Sequence, residues 1–580
     1  MRMKKGRRKR KIKVGRIIIA LIILILIIIG FVFLTKGVKN AVSLETKYIA
    51  NDNYTVDVFS YNTEENSLTK DTTIVRGSKV SANSSDKITK DNIDYVKIKF
   101  DDKEYYVDVT KLVDDKNKVV LEDTIYVRTP ATLISDLDKS TISGFASKAS
   151  SLEVVGYDNV DSEGKVTTYK VKNGDSEAYI YGKYVVFSEE EAKANYEASK
   201  YDPIHSQIKN TYNGGEAINL DFYPNEKPSF EDNKMPSNVY SLYLNAGVLG
   251  NVDAYIEYAK TTKINTFVVD IVDDTAIGYE SDVMKEISPT SYANAINSVD
   301  KYKEAIDKLK NAGFYVIGRI TAFKDSYYVK DHEEDAISKN GSPFLHNNAY
   351  WPSAYSRDVW YYKVALAKEA VKLFGFNEIN YDYVRFPDRM TSIENSVDLQ
   401  NEYDEDKTQA IQRFVQYATD ELHKLGVYVS IDVFGESTNG SYTTAYGQYW
   451  PAISNVCDAI SGMPYPDHFA ANSYGISEPW NNPYDLMYNW ASDAVKRQSE
   501  CPTPAVIRTW IQAYDVMSHV DPNGISYNGD NVKKEIEGLY DAGATGGYIT
   551  WNSASSLEKY KLQKSAFDID YGEVYNSDNS

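Results

Sequence analysis

Residues 377–388 read NEINYDYVRFPD. Glu378, Asn380 and Asp382 fall on every second position, with Ile379 and Tyr381 between them. Side chains two apart on a β-strand share a face, so this segment turns three polar groups one way and its hydrophobic groups the other. Seven further strand-like segments flank it: NVYSLYLN, NTFVVDIVDD and FYVIGRITAF before it, and VYVSIDVFGE, AISGMPYP, AVIRTWIQAY and GGYITWN after it. Between them lie helical segments at Val252–Lys260, Lys301–Ala312, Val359–Leu373, Thr408–Leu425, Tyr484–Ser492 and Val532–Ala542, whose apolar residues recur near the 3.6 period. The alternation predicts an α/β fold, a (β/α)8 TIM barrel over residues 237–570. A doubly wound open sheet is the alternative, but no glycine-rich phosphate turn follows strand one.

In such a barrel the working groups lie at the C-terminal ends of the strands. Strand two offers Asp270, strand three Arg319, strand four Glu378, Asn380 and Asp382, strand five Ser430 and Asp432 with Glu436 just beyond, strand seven Arg508, and strand eight Asn552. Ionised groups on apolar strands cost too much to stay unpaired, so they are expected to converge in one polar network at the barrel mouth. Each also has a purely structural reading: Asp382 with Arg385 as a core ion pair, Asp270 as a cap on the turn holding Asp273 and Asp274.

A carboxylate-rich pocket narrows the chemistry. The chain has no G-x-S-x-G elbow, H-E-x-x-H motif, Walker loop or dinucleotide fingerprint, and its six histidines lack metal-ligand spacing, so neither a metal nor a cofactor is expected. Two carboxyl groups facing a sugar suffice for glycoside hydrolysis, one protonating the leaving oxygen and the other attacking the anomeric carbon or activating water. Aromatic residues supply flat surfaces for sugar C–H faces. Tyr350, Trp351, Trp450, Tyr465, Trp480, Trp510 and Trp551 fall in the predicted loops and strand ends, together with His468 and Gln512.

The remaining chain speaks to location. Ten basic residues within the first sixteen form a tail (1–16), followed by the uncharged run Ile17 to Leu34. As a helix at about 1.5 Å per residue, that run nearly spans a ~30 Å hydrocarbon core. The positive-inside rule then leaves the N-terminus cytoplasmic and the bulk extracellular. A cleaved signal peptide is the competing reading, but no small-residue cleavage site follows Leu34. The body beyond this run carries a formal charge of -29 within a total of -19, which disfavours nucleic-acid partners. Two cysteines, Cys457 and Cys501, leave one disulfide open.

Residues 45–120 and 121–188 read as two small all-β modules, followed by a linker over 189–236; residues 571–580 form a short tail. Tyr95–Val113 aligns without gaps on Thr168–Val186, with Lys97/Lys170, Lys99/Lys172, Asp102/Asp175, Glu104/Glu177, Tyr106/Tyr179 and Val113/Val186 identical. The pair resembles tandem bacterial SH3-like modules of cell-envelope proteins, which implies a spacer or wall-binding role.

NEINYDYVRFPD (377–388), IDVFGE (431–436), GMPYPDHF (462–469), IRTWIQAY (507–514) and GGYITWN (546–552) together resemble the family described as "putative glycosyl hydrolase domain", a bacterial barrel family similar to the α-amylase-type glycoside hydrolases. The resemblance implies a TIM barrel and a carbohydrate substrate. It matches Asp382 to the strand-four nucleophile and offers Asp432 or Glu436 as acid/base. The strand-seven acid of amylase-like enzymes is missing, because Arg508 and Gln512 stand there. The reading is therefore a membrane-anchored hydrolase of a cell-envelope or extracellular polysaccharide. Asp382 serves as nucleophile or base and Asp432 or Glu436 as proton donor. Asp270, Arg319, Asn380, Arg385, Tyr465, His468, Arg508, Trp510, Gln512, Trp551 and Asn552 orient these groups or bind substrate. The alternative is a non-catalytic glycan-binding or scaffolding protein.

Overall fold

The computed structural model describes residues 44–197, 200, 220–438 and 446–576. The transmembrane stretch expected at 17–34 lies outside the described residues; among those, no helix is long and apolar enough to cross a membrane. The chain forms two compact units, one of residues up to 123 with 157–168, the other of 124–156 with 169 onward.

Each unit contains one seven-stranded sheet outside the barrel, and numbered within each sheet the strand order is 3-2-6-5-4-1-7 in both. The aligned repeat folds alike. Lys103–Asp108, the 3-10 turn Val109–Lys111 and Leu112–Val113 recur as Ser176–Tyr181, Gly182–Tyr184 and Val185–Val186. The identical residues of the alignment include a cross-strand ion pair, Lys97 with Glu104 at 3.1 Å and Lys170 with Glu177. In the first unit Ile49, Val56, Val58, Ile74, Val96, Ile98 and Val107 form the core.

All eight expected barrel strands are present: β1 (Val239–Leu244), β2 (Thr266–Asp273), β3 (Tyr315–Thr321), β4 (Glu378–Asp382), β5 (Tyr428–Phe434), β6 (Ala459–Met463), β7 in two segments (Val506–Ile507 and Thr509–Gln512) and β8 (Gly547–Trp551). They pair in parallel in chain order, and β8 returns to β1. The break in β7 falls at Arg508: the residues before it pair with β6 and those after it with β8, so the parallel barrel is nearly closed. Helices α1 (Val252–Ala259), α2 (Val299–Asn311), α3 (Arg357–Phe374), α4 (Lys407–His423), α5 (Trp450–Ser454), α6 (Pro483–Gln498) and α7 (Gly529–Asp541) occupy the seven connections, and α8 (Leu557–Leu562) follows β8.

The two faces of each strand separate as the period of two requires. Val268, Tyr315 and Ile317 join Tyr243, Trp510 and Ile549 in an interior cluster, whereas Val269, Ile271, Val316 and Ile379 pack in the large cluster shared with the helices. Residues from 220 onward, within the expected linker, lie on the barrel: Phe230 and Met235 pack against the interior cluster and Asn233 donates to the Asn377 and Gly426 carbonyls. Cys457 and Cys501 are separate buried thiols.

The second β sheet docks on α4. Tyr184 donates to Asp420 at 2.6 Å, Tyr417 to the Ser140 carbonyl at 2.6 Å, and the Arg413 guanidinium lies 4.1 Å from the Phe145 ring centre. Glu421 accepts from Ser140 and Tyr181. A barrel helix ordinarily shows water one polar face; here Gln412, Arg413, Gln416, Thr419 and Glu421 are all buried, and the module explains part of that burial.

Closure of β8 on β1 depends on Gly547, which pairs with Val239 at φ +103°. A Cβ there would stand 2.0 Å from the Val239 carbonyl oxygen. Gly547→Ala is therefore expected to cost roughly 2–4 kcal/mol through backbone strain and overpacking. Thermal unfolding checks this; a melting temperature within about a degree of wild type contradicts the account.

Candidate active site

The inward polar residues stack in tiers along the barrel axis. Lowest is Arg508, which donates to Glu378 at 2.6 Å while Tyr315 donates to the same carboxylate at 3.1 Å; both charged side chains are sealed. Above it, Asn380 donates to Ser430 at 3.1 Å and to Asp432 Oδ1 at 2.8 Å. Trp510 Nε1 donates to the same Asp432 oxygen at 2.8 Å. Asp432 Oδ2 is sealed without a hydrogen-bond partner among the described residues. Burial, and next the charge of Asp382, push the Asp432 carboxyl well above the usual range, against the opposing hydrogen bonds from Asn380 and Trp510. A protonated Oδ2 fits this setting, because a neutral acid needs no counter-charge.

The uppermost tier is organised by Arg319. Its Nη1 donates to Asp270 at 2.7 Å and its Nη2 to Asp382 Oδ2 at 2.5 Å. Asp273 Oδ1 lies 3.5 Å from the same Nη2. Asp270 also accepts from Tyr243. Burial raises the Asp270 pKa to about 7 even though Arg319 lowers it, and Asp273 adds to the rise. Asp382 Oδ1 accepts from the Tyr383 backbone N–H at 2.6 Å. Tyr383 takes φ +52°, a costly conformation for a bulky side chain. The chain turns sharply there, directly after the carboxylate.

Above this tier opens a cleft of about 450 Å³. Asp382, Arg319, Arg385, Tyr465, His468, Trp510 and Trp551 line it, so seven of the fourteen sequence-derived site residues meet here. Trp510 and Trp551 stand edge to face, ring centres 5.7 Å apart, and the Trp551 ring covers Arg319 at 5.4 Å.

Seven other expected residues do not line it. Asp270, Asn380, Asp432 and Arg508 are buried in the network beneath. Gln512 is fully buried and braces the loop beyond β6, accepting from the Asp467 N–H at 3.2 Å. Asn552 accepts from the Ser556 N–H at 3.4 Å, ahead of α8. Glu436 is exposed and holds the Tyr446 hydroxyl, because the turn after β5 directs it away from the cleft lining. The structural pairing of Asp382 with Arg385 does not form, since Asp382 pairs with Arg319 instead. Trp450 is a core residue against Trp490.

Asp273, Asp274, Thr275, Ala276, Lys324, Tyr383, Phe434 and Met463 line the cleft without having been singled out. For Asp273 a signal existed: it is the last residue of β2, where barrel strands present working groups.

A parallel barrel with carboxylates and aromatic rings gathered at the C-terminal strand ends is the architecture of a carbohydrate-active enzyme. The family model described as "Putative glycosyl hydrolase domain" matches residues 238–557, more than half of the 580-residue chain. The chain belongs to that family. Among solved structures, a hypothetical protein of Ruminiclostridium thermocellum is 34% identical over 33% of this chain and 97% of its own, with a TM-score of 0.29. The PgaB (BpsB) glycoside hydrolase domain of Bordetella bronchiseptica is 12% identical over 57% of this chain and 99% of its own, with a TM-score of 0.42. The β-N-acetylhexosaminidase of Bacteroides fragilis is 15% identical over 48% of this chain and 51% of its own, with a TM-score of 0.31. No curated protein matches the chain.

The raised pKa of Asp432 has a thermodynamic consequence. An unfolded aspartate releases its proton near pH 4, and the folded one only above that. Between those limits the folded state binds more protons, so stability falls as pH rises through the window. Asp270 contributes in the same direction up to about pH 7. Asp432→Asn removes the Asp432 contribution, and its melting temperature is expected to fall less than that of wild type between pH 5 and pH 8. Parallel pH profiles for the two proteins contradict a proton on Asp432.

Proposed function

We propose that the barrel is a glycoside hydrolase in which Asp382 is the nucleophile and Asp273 the acid/base. The observation that carries this reading is that both carboxylates line one cleft and approach the same Arg319 nitrogen, at 2.5 and 3.5 Å, so these oxygens lie at most 6.0 Å apart. Retaining glycosidases place their carboxyl groups about 5–5.5 Å apart and inverting ones about 6.5–9.5 Å; the bound on these two oxygens lies below the inverting range, which supports a retaining mechanism. Asp382 attacks the anomeric carbon as Asp273 gives its proton to the departing glycosidic oxygen. Water, deprotonated by Asp273, then releases the sugar from Asp382. Arg319 holds Asp382 in line, and Asp432, kept neutral below, adds no further negative charge. Trp510, Trp551 and Tyr465 offer ring faces to the sugar.

The same reading places the protein at the cell envelope. Residues 17–34 anchor it in the membrane with the bulk outside, the SH3-like modules hold wall polymer, and the barrel cuts a cell-envelope or extracellular polysaccharide. The lack of an acid at the end of β7, where Arg508 and Gln512 are both sealed, favours the second reading, a glycan-binding protein without turnover.

On a panel of bacterial glycans, Asp382→Asn is expected to lose activity by about a thousandfold or more. Asp273→Asn should lose about 10²- to 10⁴-fold on natural glycosides but far less on aryl glycosides whose leaving groups need no proton. NMR of the first product is expected to show retained anomeric configuration. Undiminished turnover of the Asp382 variant removes the nucleophile assignment, and wild-type binding without cleavage supports the second reading.

A further inference from the structure

Three arginines point into the barrel or its mouth, and their circumstances differ. Arg508 is spent on Glu378 in the sealed core, and Arg319 on Asp270 and Asp382. Arg385 has no such partner. It is 6% exposed, lines the cleft, and among the described residues makes one hydrogen bond, from Nη1 to the Phe386 carbonyl at 3.0 Å. No carboxylate among the described residues forms an ion pair with it, although the charges of Asp382 and Asp388 are felt there. Asp388 instead accepts from Asn347 at 2.7 Å and faces His346 at 3.6 Å.

Three aromatic rings hold the guanidinium in place: Phe434 at 4.1 Å, Trp351 at 4.9 Å and Tyr383 at 5.0 Å from its central carbon. Burial pulls its pKa below the ordinary value. A buried cation without a counter-charge is costly, and such groups persist where something else supplies the charge. The Nε and Nη2 atoms, which together form a two-pronged edge, take no acceptor among the described residues. Unlike Arg508 Nε and Nη2, they are not sealed from solvent. That edge therefore reaches space a ligand can enter. Lys324, its Nζ 4.8 Å from the centre of the Tyr383 ring, lines the same cleft but pairs with Asp274 at 3.9 Å, so Arg385 is the cation there without a paired carboxylate among the described residues.

A planar fork with both prongs vacant matches a carboxylate bidentately. We propose that Arg385 is the anion-recognition residue of the cleft, and that the glycan it takes carries a carboxylate on the sugar unit seated beside Asp382, as a uronic acid does. This inference rests on the glycan reading above and deepens it by naming the substrate class. It also gives each arginine a separate role. Arg319 positions Asp382, Arg508 stabilises the barrel floor, and only Arg385 meets substrate.

The test is calorimetric titration of the full chain with glucuronate, glucose and glucose 6-phosphate, using wild type, Arg385→Gln and Arg385→Lys. Wild type is expected to bind glucuronate at least about tenfold more tightly than glucose, and Arg385→Gln to lose about 10- to 100-fold of the glucuronate affinity, so that the preference over glucose narrows or disappears. Arg385→Lys keeps the charge but not the fork, and should fall between them; it also carries the test if the glutamine variant does not fold. Equal binding of glucuronate and glucose by wild type, or undiminished glucuronate binding by both variants, overturns the proposal. A preference for glucose 6-phosphate overturns the carboxylate assignment. Cleavage assays with Asp382→Asn, scored separately, tell a failure of the hydrolase reading from a failure of this one.

Discussion

The site depends on a single guanidinium placed among too many acids. Arg319 is 1% exposed and faces Asp270 and Asp273 from β2 and Asp382 from β4. Removing one member of a buried ion pair costs about 3–5 kcal/mol, because the partner is left uncompensated. Arg319 thereby fixes three neighbouring strand ends, and Asp382 is aimed by the same contacts that hold β2, β3 and β4 in register. One positive charge cannot balance every carboxylate at this level. Burial raises the pKa values of Asp270 and Asp432, and the neighbouring carboxylates Asp273 and Asp382 add to the rise.

How much of this the chain discloses depends on the kind of information. Alternation along a strand is local, so the inward orientation of Asp270, Arg319, Asn380, Asp382 and Asp432 could be read directly from spacing. Depth along the barrel axis is different. Glu378 and Asp382 share a face of β4, yet one pairs with Arg508 in the sealed floor and the other opens on the cleft. Two residues, about 6–7 Å of strand rise, separate one tier from the next, and no spacing rule says where the floor ends.

Loop direction was harder still. Glu436 follows β5 closely enough to be a natural partner for Asp382, but the turn at Gly435 points it outward to Tyr446. Asp273, which looked like part of a turn, ends β2 facing Arg319. Phe434 ends β5 as Asp273 ends β2, so the same strand-end position marks both, whereas Lys324 reaches the cleft from beyond the end of β3. The repeat at 95–113 and 168–186, in contrast, was legible down to its cross-strand lysine–glutamate pair, because strand, turn and strand are contiguous in the chain.

The docking of the second β sheet on α4 alters what counts as one folded body. The family match begins at residue 238, at the threshold of β1, but Tyr184, Phe145 and Ser140 finish the outer side of a helix inside the matched region. The compact unit that holds the barrel accordingly begins at Thr124, well ahead of the matched region. A segment that by sequence lies upstream of the matched domain has become, in three dimensions, part of the wall of the enzyme.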